Sequence, residues 1–563
     1  MKTVRIGTRT SELALWQTRQ VVNLLESEGY STEIVPITSS GDRSMGGDLS
    51  TSVGQFIHAL DQELVNGTID LAVHSSKDVP VDTHPQLTNL AYLKRGTTAD
   101  VLLFNRTSDE TSLSGLLQSD ATTAVNDAFA RFLRGSTVGT VSGRRQSFML
   151  SQRPDLVPLA VRGRVETRLS RLKEGRVDGL ILAEVGLQRL HDSGVLAPWM
   201  LDLGAYRLDE SQWPTAPGQG AISVHCRIDE ATQFAPLRAL LNDKSTEKDV
   251  CEERRLLRDV GGGCLYPAGI LVSGQNLTLK IAPQEWRAVF CQGRAFPLTH
   301  FAGLVEDAVF ALPEIPESAS VNLDETRKIV STLNSDRLST VLQNRGIPVL
   351  NQPVVQLKPQ PDAWPQDFLP SSSQRSQWPY LVLTSPFAAR CAVEVAKTNQ
   401  DIQRIQWLAI GEGTARACFR QGVTVSMSAQ ARNSEALAAF IIEKIPLDIP
   451  LLIPRSNLAP AFLVDALTSH GYDVTSWEGY QNQPLSIDSV PVDQQDVLLV
   501  SSPSSAEAWV ENGLPVPESI LCMGAATKER LTGLPEFSKS TIEVLQGPTA
   551  DFIAAWWDDR MRP

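Results

Sequence analysis

The sequence predicts an α/β protein with mostly parallel sheets, and three observations support this fold class. Short apolar runs such as TVRIGT, IDLAVH, DGLILA, YLVLTS and DVLLVSS alternate with stretches of helical periodicity, residues 11–28 among them. The composition, 42% hydrophobic and 20% charged, is that of an ordinary globular protein. At 563 residues, the chain has room for roughly three to five domains. Ligands of such folds collect at the carboxyl ends of strands, so functional side chains are expected there.

Changes in composition divide the chain further. Residues 311–325, rich in proline and small polar residues, mark a boundary between two halves. In the first half, residues 119–135 are predicted to be an excursion with one short helix and no strand. In the second half, residues 359–378 are predicted to be a surface loop. Two units then recur, VLTSPFAAR with AIGEGTA and LVSSPSSAE with CMGAATK, and they predict two similar α/β lobes.

Charge and cysteine content exclude several classes of protein. A net charge of -13 argues against a chain that binds nucleic acid or an anionic membrane over its whole surface. The seven cysteines contain no C-x-x-C pair, which indicates a reduced, cytoplasmic protein and predicts no metal site. No apolar stretch of signal-peptide length opens the sequence, and no run of about 18 apolar residues follows, so no membrane partner is predicted.

Two strand ends in the first half carry candidate functional residues. Strand IDLAVH leads into SSKDVP, which places Lys77 and Asp78 at a strand end, either as a functional pair or as an ordinary ion pair. Arg9 and Ser11 follow the first strand at the entry to a helix, where backbone N–H groups favour an anion. Ser11 is equally suited to cap that helix.

A basic segment in this acidic chain is the strongest charge signal. Between Arg144 and Lys173 there are eight cations and two acidic residues. Arg144 and Arg145 follow strand TVGT and Ser142, while Arg162 and Arg168 lie in RGRVETRLSRL. Clustered arginines suit a small polycarboxylate, which they bind in bidentate fashion. A phosphate-rich ligand and a solvated helix face are the alternatives, and no phosphate-binding glycine motif accompanies the segment.

Cys264 lies in GGGCLYP, where three glycines leave space around its thiol. A cysteine is more often a small buried hydrophobe, but this setting indicates that something large approaches the sulfur. The sequence offers no neighbouring histidine to make it a protease nucleophile. A point of covalent attachment is therefore predicted.

Six motifs of the first half, taken in order, resemble those of hydroxymethylbilane synthase, also called porphobilinogen deaminase. They are RIGTRTSELALWQ, VHSSKDVP, VGTVSGRRQ, VRGRVETRLSRL, PGQGA and GGGCLYPAG. The resemblance implies two lobes of periplasmic-binding-protein type and a small α+β third domain. The implied boundaries are residues 1–97 with 214–230 for domain 1, 98–213 for domain 2 and 231–315 for domain 3.

The resemblance also implies roles for individual residues. Cys264 would hold one covalent dipyrromethane cofactor per chain through a thioether, and Asp78 would be the catalytic carboxylate. Cofactor-binding residues would be Lys77, Ser142, Arg144 and Arg145. Residues that bind the acetate and propionate groups of the substrate would be Arg9, Ser11, Arg162, Arg168 and Arg189. Val53, where the family has a lysine in its flexible lid, is one of several departures that leave these residues intact.

The second half resembles uroporphyrinogen-III synthase through LVLTSPFAAR, LAIGEGTA, LLIPRSNLAP, GYDVTSWEGY, LVSSPSSAE and CMGAAT. The resemblance implies two flavodoxin-like α/β lobes, residues 325–354 with 483–563 and residues 355–482. Tyr480 matches the family tyrosine that assists loss of the terminal hydroxyl, although it could simply close a strand at the interface. Strand-end hydroxyls are candidates to bind substrate carboxylates or to serve as turn and N-cap residues. They are Ser385, Thr414, Ser502, Ser504 and Thr527.

Together the two resemblances predict a bifunctional, cytoplasmic and monomeric enzyme of tetrapyrrole biosynthesis. Its first half would join four porphobilinogen molecules into hydroxymethylbilane, and its second half would close that product to uroporphyrinogen III with inversion of the last ring. Both partners are small molecules. Two alternatives stay open: a deaminase whose C-terminal half has only a structural or partner-binding role, and a bilobal solute-binding module without catalysis.

Overall fold

The computed structural model describes residues 3–37, 55–81, 84–262, 266–308, 312–315, 327–334, 336–368, 378–431, 433–547 and 549–561. Val53 and Cys264 lie outside these residues. Five sheets and the helices around them confirm the mixed α/β class. None of the helices in the described part of the chain is long and apolar enough to span a membrane.

The first sheet has the strand order β2-β1-β3-β10-β4. Its strands are β1 (Val4–Arg9), β2 (Thr32–Ile37), β3 (Leu71–Ser75), β4 (Leu87–Tyr92) and β10 (Ile222–Arg227). Helices α1 (Glu12–Glu26) and α2 (Gln55–Val65) accompany it. β1, β2 and β3 run parallel, whereas β10 returns antiparallel between β3 and β4. The chain thus leaves this sheet after β4 and re-enters it with β10.

The second sheet has the order β7-β6-β8-β5-β9 and is built from the intervening chain. Its strands are β5 (Asp100–Phe104), β6 (Thr137–Gly139), β7 (Val157–Leu159), β8 (Gly179–Ala183) and β9 (Gly204–Arg207). Its helices are α3 (Leu113–Leu117), α4 (Val125–Ala130), α5 (Gly143–Gln152), α6 (Val165–Lys173), α7 (Glu184–Asp192) and α8 (Pro198–Leu201). α4 confirms the short helix predicted within residues 119–135.

A three-stranded antiparallel sheet follows in the order β11-β12-β13. Its strands are β11 (Ala268–Ser273), β12 (Asn276–Ile281) and β13 (Thr299–Leu304). The helices of this region are α9 (Ala235–Leu241), α10 (Lys244–Asp259) and α11 (Trp286–Cys291). The domain boundaries stay predictions, although the three sheets draw their strands from separate stretches of the first half.

The second half forms two further sheets, ordered β15-β14-β22-β23-β24 and β16-β21-β20-β17-β18-β19. The five-stranded sheet contains β14 (Ile329–Ser331), β15 (Val349–Asn351), β22 (Val497–Val500), β23 (Ser519–Cys522) and β24 (Thr541–Val544). The six-stranded sheet contains β16 (Val355–Pro359), β17 (Tyr380–Leu383), β18 (Gln406–Ala409), β19 (Met427–Ser428), β20 (Leu451–Ser456) and β21 (Val474–Pro484). The helices are α12 (Arg337–Gln343), α13 (Pro386–Thr398), α14 (Gln400–Arg404), α15 (Glu412–Arg420), α16 (Ser434–Lys444), α17 (Phe462–Ser469), α18 (Pro503–Glu511), α19 (Ala525–Thr532) and α20 (Ala550–Met561).

The two recurring sequence units of the second half adopt the same local structure. Ser385 and Ser502 each follow a buried strand, have nearly equal backbone angles and cap a helix whose first residue is proline. Gly411 and Gly524 occupy the N-cap of the next helix in each unit, again in extended conformation. This correspondence confirms the prediction of two similar α/β lobes.

The stretch from 359 to 378, predicted as a surface loop, is not exposed throughout its described part. Trp364 and Phe368 are both buried, and the Trp364 ring lies 5.2 Å from that of Trp477 on β21. The proline and serine content of the stretch indicated a loop, but its two aromatic side chains supply apolar surface that packs against the sheet.

The two halves pack against each other. One apolar core cluster contains Leu169 and Leu172 of α6 together with Ala388 of α13. The Phe419 ring of α15 lies 5.8 Å from the ring of Trp286 in α11 in an edge-on arrangement. The halves therefore share buried apolar surface in addition to their covalent link.

Candidate functional site

Lys77 and Asp78 occupy a short 3-10 turn, Ser76–Asp78, directly after β3. The Ser76 N–H donates to the carbonyl of Ala221 at 3.0 Å, which ties this turn to the segment that leads into β10. Lys77 donates its Nζ proton to Oε1 of Gln219 at 3.1 Å, while the side chain of Asp78 is exposed. Lys77 is thus held by a neutral amide from the returning segment.

A buried carboxylate, Asp100 at the start of β5, organises the base of the site. Its side chain is 0% exposed and accepts hydrogen bonds from Nη2 of Arg144 at 2.7 Å and from Nε and Nη2 of Arg145 at 3.0 and 2.5 Å. Trp213 Nε1 and Gln219 Nε2 also donate to it, at 3.0 and 2.9 Å. Burial by itself would raise the pKa of Asp100, but the guanidinium groups of Arg144 and Arg145 outweigh this and hold the pKa well below its usual range.

The arginine pair predicted to bind cofactor is therefore engaged with protein groups. Besides Asp100, Arg144 donates to the carbonyl of Pro214 and Arg145 to that of Ile181, both at 3.0 Å. Both arginines lie in the first turn of α5, where the side chain of the N-cap residue accepts from the Arg145 N–H. Direct contact of either arginine with a ligand stays a prediction, whereas their electrostatic effect on the neighbouring cations follows from the structure.

Like charges meet around Asp78. Burial lowers the pKa of Lys77 to about 8, and Arg145 lowers it further while Asp78 opposes the shift. Burial also lowers the pKa of Arg168 to about 10, with the same contributions from Arg145 and Asp78. Groups whose positive charge is destabilised in this way favour an anionic ligand, because an anion restores the charge balance.

The other predicted ligand residues of the first half take different positions. Arg189 is buried, donates to the carbonyl of Gly220 at 2.8 Å and lies over the ring of Trp16 at 5.3 Å. Burial lowers the pKa of Arg189 to about 10. Arg9 and Arg162 are half-buried.

Two predicted ligand serines in this half act as helix caps. The hydroxyl of Ser11 accepts from the Ala14 N–H at 3.3 Å, and that of Ser142 accepts from the Arg145 N–H at 3.4 Å. The N-cap role considered for Ser11 is confirmed. A ligand role for either serine stays a prediction.

In the second half, Tyr480 and Ser385 form a hydroxyl pair. Their oxygen atoms lie 2.9 Å apart, and the Phe387 ring lies 5.0 Å from that of Tyr480. Tyr480 is buried on β21, and burial raises its pKa while the hydrogen bond to Ser385 opposes that rise. The phenol consequently stays protonated at neutral pH and is able to donate a proton.

The other candidate hydroxyl residues of the second half lie at helix starts. Ser502 and Ser504 lie 3.0 Å apart, and Asn482 of β21 donates to Ser504 at 3.0 Å. Thr414 and Thr527 are buried at equivalent places, the third residues of α15 and α19. Ser385 and Ser502 are N-caps, as the sequence allowed.

Sequence reasoning missed three residues that connect these groups. Asp100 opens the strand DVLLF, and the local sequence does not distinguish it from the exposed aspartates that are usual in proteins. Gln219 lies in the recognised segment PGQGA, yet only the tertiary structure shows that it joins Lys77 to Asp100. Asn482 lies two residues after Tyr480 and links β21 to α18.

The charge pattern of the first half fits the dipyrromethane that the resemblance implies. A dipyrromethane with acetate and propionate groups is a polycarboxylate, and Lys77 and Arg168 have lowered pKa values that a bound anion would oppose. That Lys77, Ser142, Arg144 and Arg145 bind the cofactor stays a prediction. Cys264, the predicted attachment point, lies outside the described residues.

Two family models match the chain. Residues 4–234 match "Porphobilinogen deaminase, dipyromethane cofactor binding domain", and residues 336–536 match "Uroporphyrinogen-III synthase HemD". The porphobilinogen deaminase of Trichlorobacter lovleyi is 36% identical over 284 residues, 49% of this chain and 82% of that protein. A probable porphobilinogen deaminase of Methanosarcina barkeri is 37% identical over 267 residues, 47% of this chain and 75% of the other.

Solved structures also match parts of the chain. A uroporphyrinogen-III synthetase of Helicobacter pylori is 18% identical with a TM-score of 0.27, covering 41% of this chain and 98% of the other. A periplasmic binding protein of Salmonella typhimurium with high arginine specificity is 12% identical with a TM-score of 0.24, covering 46% of this chain and 99% of the other.

Proposed function

Because the chain belongs to the porphobilinogen deaminase family and carries a uroporphyrinogen-III synthase domain in its second half, we propose that it performs both reactions in sequence. It joins four porphobilinogen molecules with loss of one ammonia each, releases hydroxymethylbilane by hydrolysis of its bond to the cofactor, and closes it to uroporphyrinogen III with loss of water. The observation that supports the first step best is the cluster of Lys77, Arg145 and Arg168 around Asp78. Monomeric state and cytoplasmic location stay predictions from the sequence.

In the first half, the arginines and Lys77 bind acetate and propionate groups, and Asp78 acts on the reacting pyrrole. When bound through Cys264, a dipyrromethane supplies the pyrrole carbon to which the substrate units are joined. Departure of ammonia from porphobilinogen leaves positive charge on the methylene-pyrrole system. An exposed carboxylate at this position stabilises that charge, accepts the pyrrole N–H and takes up the proton lost on bond formation.

In the second half, Tyr480 donates a proton to the terminal hydroxyl of hydroxymethylbilane as it leaves as water. Its raised pKa keeps the phenol protonated, and Ser385 holds the oxygen in place. Attack at the substituted carbon of the last ring then gives a spiro intermediate and inverts that ring. The hydroxyls at the strand ends, together with backbone N–H groups at the helix starts, bind the substrate carboxylates.

Intact mass of the untagged protein tests the deaminase assignment. The purified chain should carry a covalent dipyrromethane and give the colour reaction of dipyrromethanes in acid. Cys264→Ser should lose both, because serine offers no thiolate for attachment. Cys251→Ser removes an exposed cysteine and should retain both. A wild-type mass without an adduct would instead favour a bilobal solute-binding module.

Isomer analysis of the macrocyclic product tests the second activity. Tyr480→Phe should lower the rate of enzymatic closure by about 10²–10⁴, the range for loss of a general acid, so the type I isomer from spontaneous closure should dominate. Tyr472→Phe is the matched control, since Tyr472 is a buried tyrosine of the same lobe whose hydroxyl bonds to the carbonyls of Ile441 and Ile445. A wild-type isomer ratio equal to that of the uncatalysed reaction would support a non-catalytic second half.

A further inference from the structure

Two histidines project from one face of the first sheet. In the antiparallel pairing of β10 with β3, Ser223 lies opposite His74, and His225 follows two residues later. Side chains two residues apart on a strand, and those directly opposite on its neighbour, point to the same face. The ring centroids of His74 and His225 accordingly lie 4.9 Å apart.

A carboxylate reaches this histidine pair from α2, which packs against β3 and β10. Oδ1 of Asp61 lies 3.6 Å from Nε2 of His74. Asp61, His74 and His225 each have one atom able to bind a metal, and these three atoms lie within 4.8 Å of one another. Two ligands bonded to a tetrahedral zinc at about 2.1 Å lie about 3.4 Å apart, so small side-chain movements would complete the geometry.

The two imidazoles are buried, whereas the Asp61 side chain is 17% exposed. His74 is 5% exposed and His225 3% exposed. In the described parts of the chain, neither Oδ1 of Asp61 nor Nε2 of His74 has a hydrogen-bond partner although both atoms are buried. A buried polar atom without a partner is costly. Because the two atoms face each other at 3.6 Å, a cation bound by both would satisfy them together.

The imidazoles are in the protonation state that metal binding requires. Burial raises the pKa of Asp61 to about 6, with nearby His84 opposing. Burial, followed by Arg254, lowers the pKa of His225 to about 4. Burial, followed by His225 and Arg9, lowers the pKa of His74 well below its usual value. Both imidazoles are consequently neutral, the form that binds metal, and the carboxylate of Asp61 is the acidic ligand.

A polar cavity of about 190 Å³ adjoins His225. Its polar lining includes Asn89 and Ser223 together with Arg254 and Arg258 of α10. Oδ1 of Asn89 and Oγ of Ser223 are buried without partners among the described residues. A water in liquid occupies about 30 Å³, so this space admits water as a further ligand. Such water would bond to the two unpartnered oxygens.

We propose that Asp61, His74 and His225 bind one zinc ion, with water from the adjoining cavity in the open position. The donor set of two imidazoles and one carboxylate is one that zinc accepts. The ion would fasten α2 to β3 and β10, directly below the turn that carries Lys77 and Asp78. The sequence analysis, which considered cysteine spacing, predicted no metal site. Asp61 and His74 lie 13 residues apart in the chain, and His74 and His225 lie 151 residues apart. The three residues meet only in the folded protein, so no short sequence motif indicates them.

The test uses full-length, untagged holoenzyme stripped with a chelator and then titrated with zinc. One zinc per chain should remain after desalting, and the melting temperature should rise with zinc, since a ligand that binds only the folded state stabilises it. Cobalt in place of zinc should give visible absorption bands of a low-coordinate site. Asp61→Asn, which preserves the shape of the side chain, and His225→Gln should each weaken zinc binding by at least about tenfold. Loss of a residue that only hydrogen-bonds to a metal ligand already weakens binding by about this factor.

His470→Gln removes an exposed histidine of the second half and should leave zinc affinity unchanged. Circular dichroism establishes that each variant is folded before titration. Absence of stoichiometric zinc in the wild type, or equal affinity in Asp61→Asn and the wild type, would overturn the proposal and identify any bound metal as adventitious. The mass of the dipyrromethane adduct is read separately, so failure of the zinc site leaves the proposed function untouched.

Discussion

Replacing Asp100 with asparagine should lower the free energy of unfolding of the domain that contains the second sheet by about 3–5 kcal/mol. This is the range expected when one partner of a buried ion pair is removed. The change leaves Arg144 and Arg145 with buried positive charge and no carboxylate. Asparagine also keeps only one of the two acceptor oxygens, so its NH2 group faces donors of Arg145 in either orientation. In differential scanning calorimetry, the unfolding transition of this domain should occur at a clearly lower temperature in the variant than in the wild type.

Asp202→Asn is the matched control for Asp100. Asp202 pairs with Arg106, but its side chain is 60% exposed. Exposed pairs contribute about 0–1 kcal/mol, so this variant should melt close to the wild type. Similar melting of the Asp100 variant and the wild type would contradict the role given to this carboxylate.

The pH dependence of this contribution has a definite sign. The folded-state pKa of Asp100 lies below its unfolded value, so the stabilisation is present above the unfolded pKa and is lost as the pH falls toward the folded one. The difference between wild type and Asp100→Asn should therefore be constant near neutral pH and shrink only in strongly acidic solution.

Asp78→Asn should reduce the deaminase kcat by about 10²–10⁴, because an amide neither stabilises the cationic pyrrole nor accepts its proton. The side chain of Asp78 is exposed, so the melting temperature should stay that of the wild type. Initial rates of porphobilinogen consumption at saturating substrate measure the effect. Asp229→Asn, an exposed aspartate just beyond β10 of the same sheet, should retain full activity.

A kcat for Asp78→Asn within a few-fold of the wild type would remove this residue from the chemical step. The loss expected for Asp78 differs from that expected for Asp100, because one affects turnover in a stable protein and the other affects stability. The two variants thus separate the group that acts on substrate from the group that holds the arginines.

Local sequence was sufficient for most of the fold. Alternating apolar strands and amphipathic helices predicted the α/β layers, since each element buries one face and its periodicity shows in the chain. The recurring serine-proline and glycine-threonine pairs predicted the two similar lobes, because helix N-caps depend on neighbouring residues. The segment from 359 to 378 was the exception, as its polar composition concealed the burial of Trp364 and Phe368.

Part of the candidate site was likewise predictable from local sequence, and part was not. Lys77 and Asp78 were predictable because a strand end and its turn are local features. What only the folded sheets decided is which groups meet: Asp100 with Arg144 and Arg145, Gln219 with Lys77, and Asp61 with His74 and His225. These partners lie far apart in the chain, and their energies depend on burial and on the charges that folding brings together. Sequence patterns determine elements and their ends, whereas tertiary contact determines charge, pKa and partner.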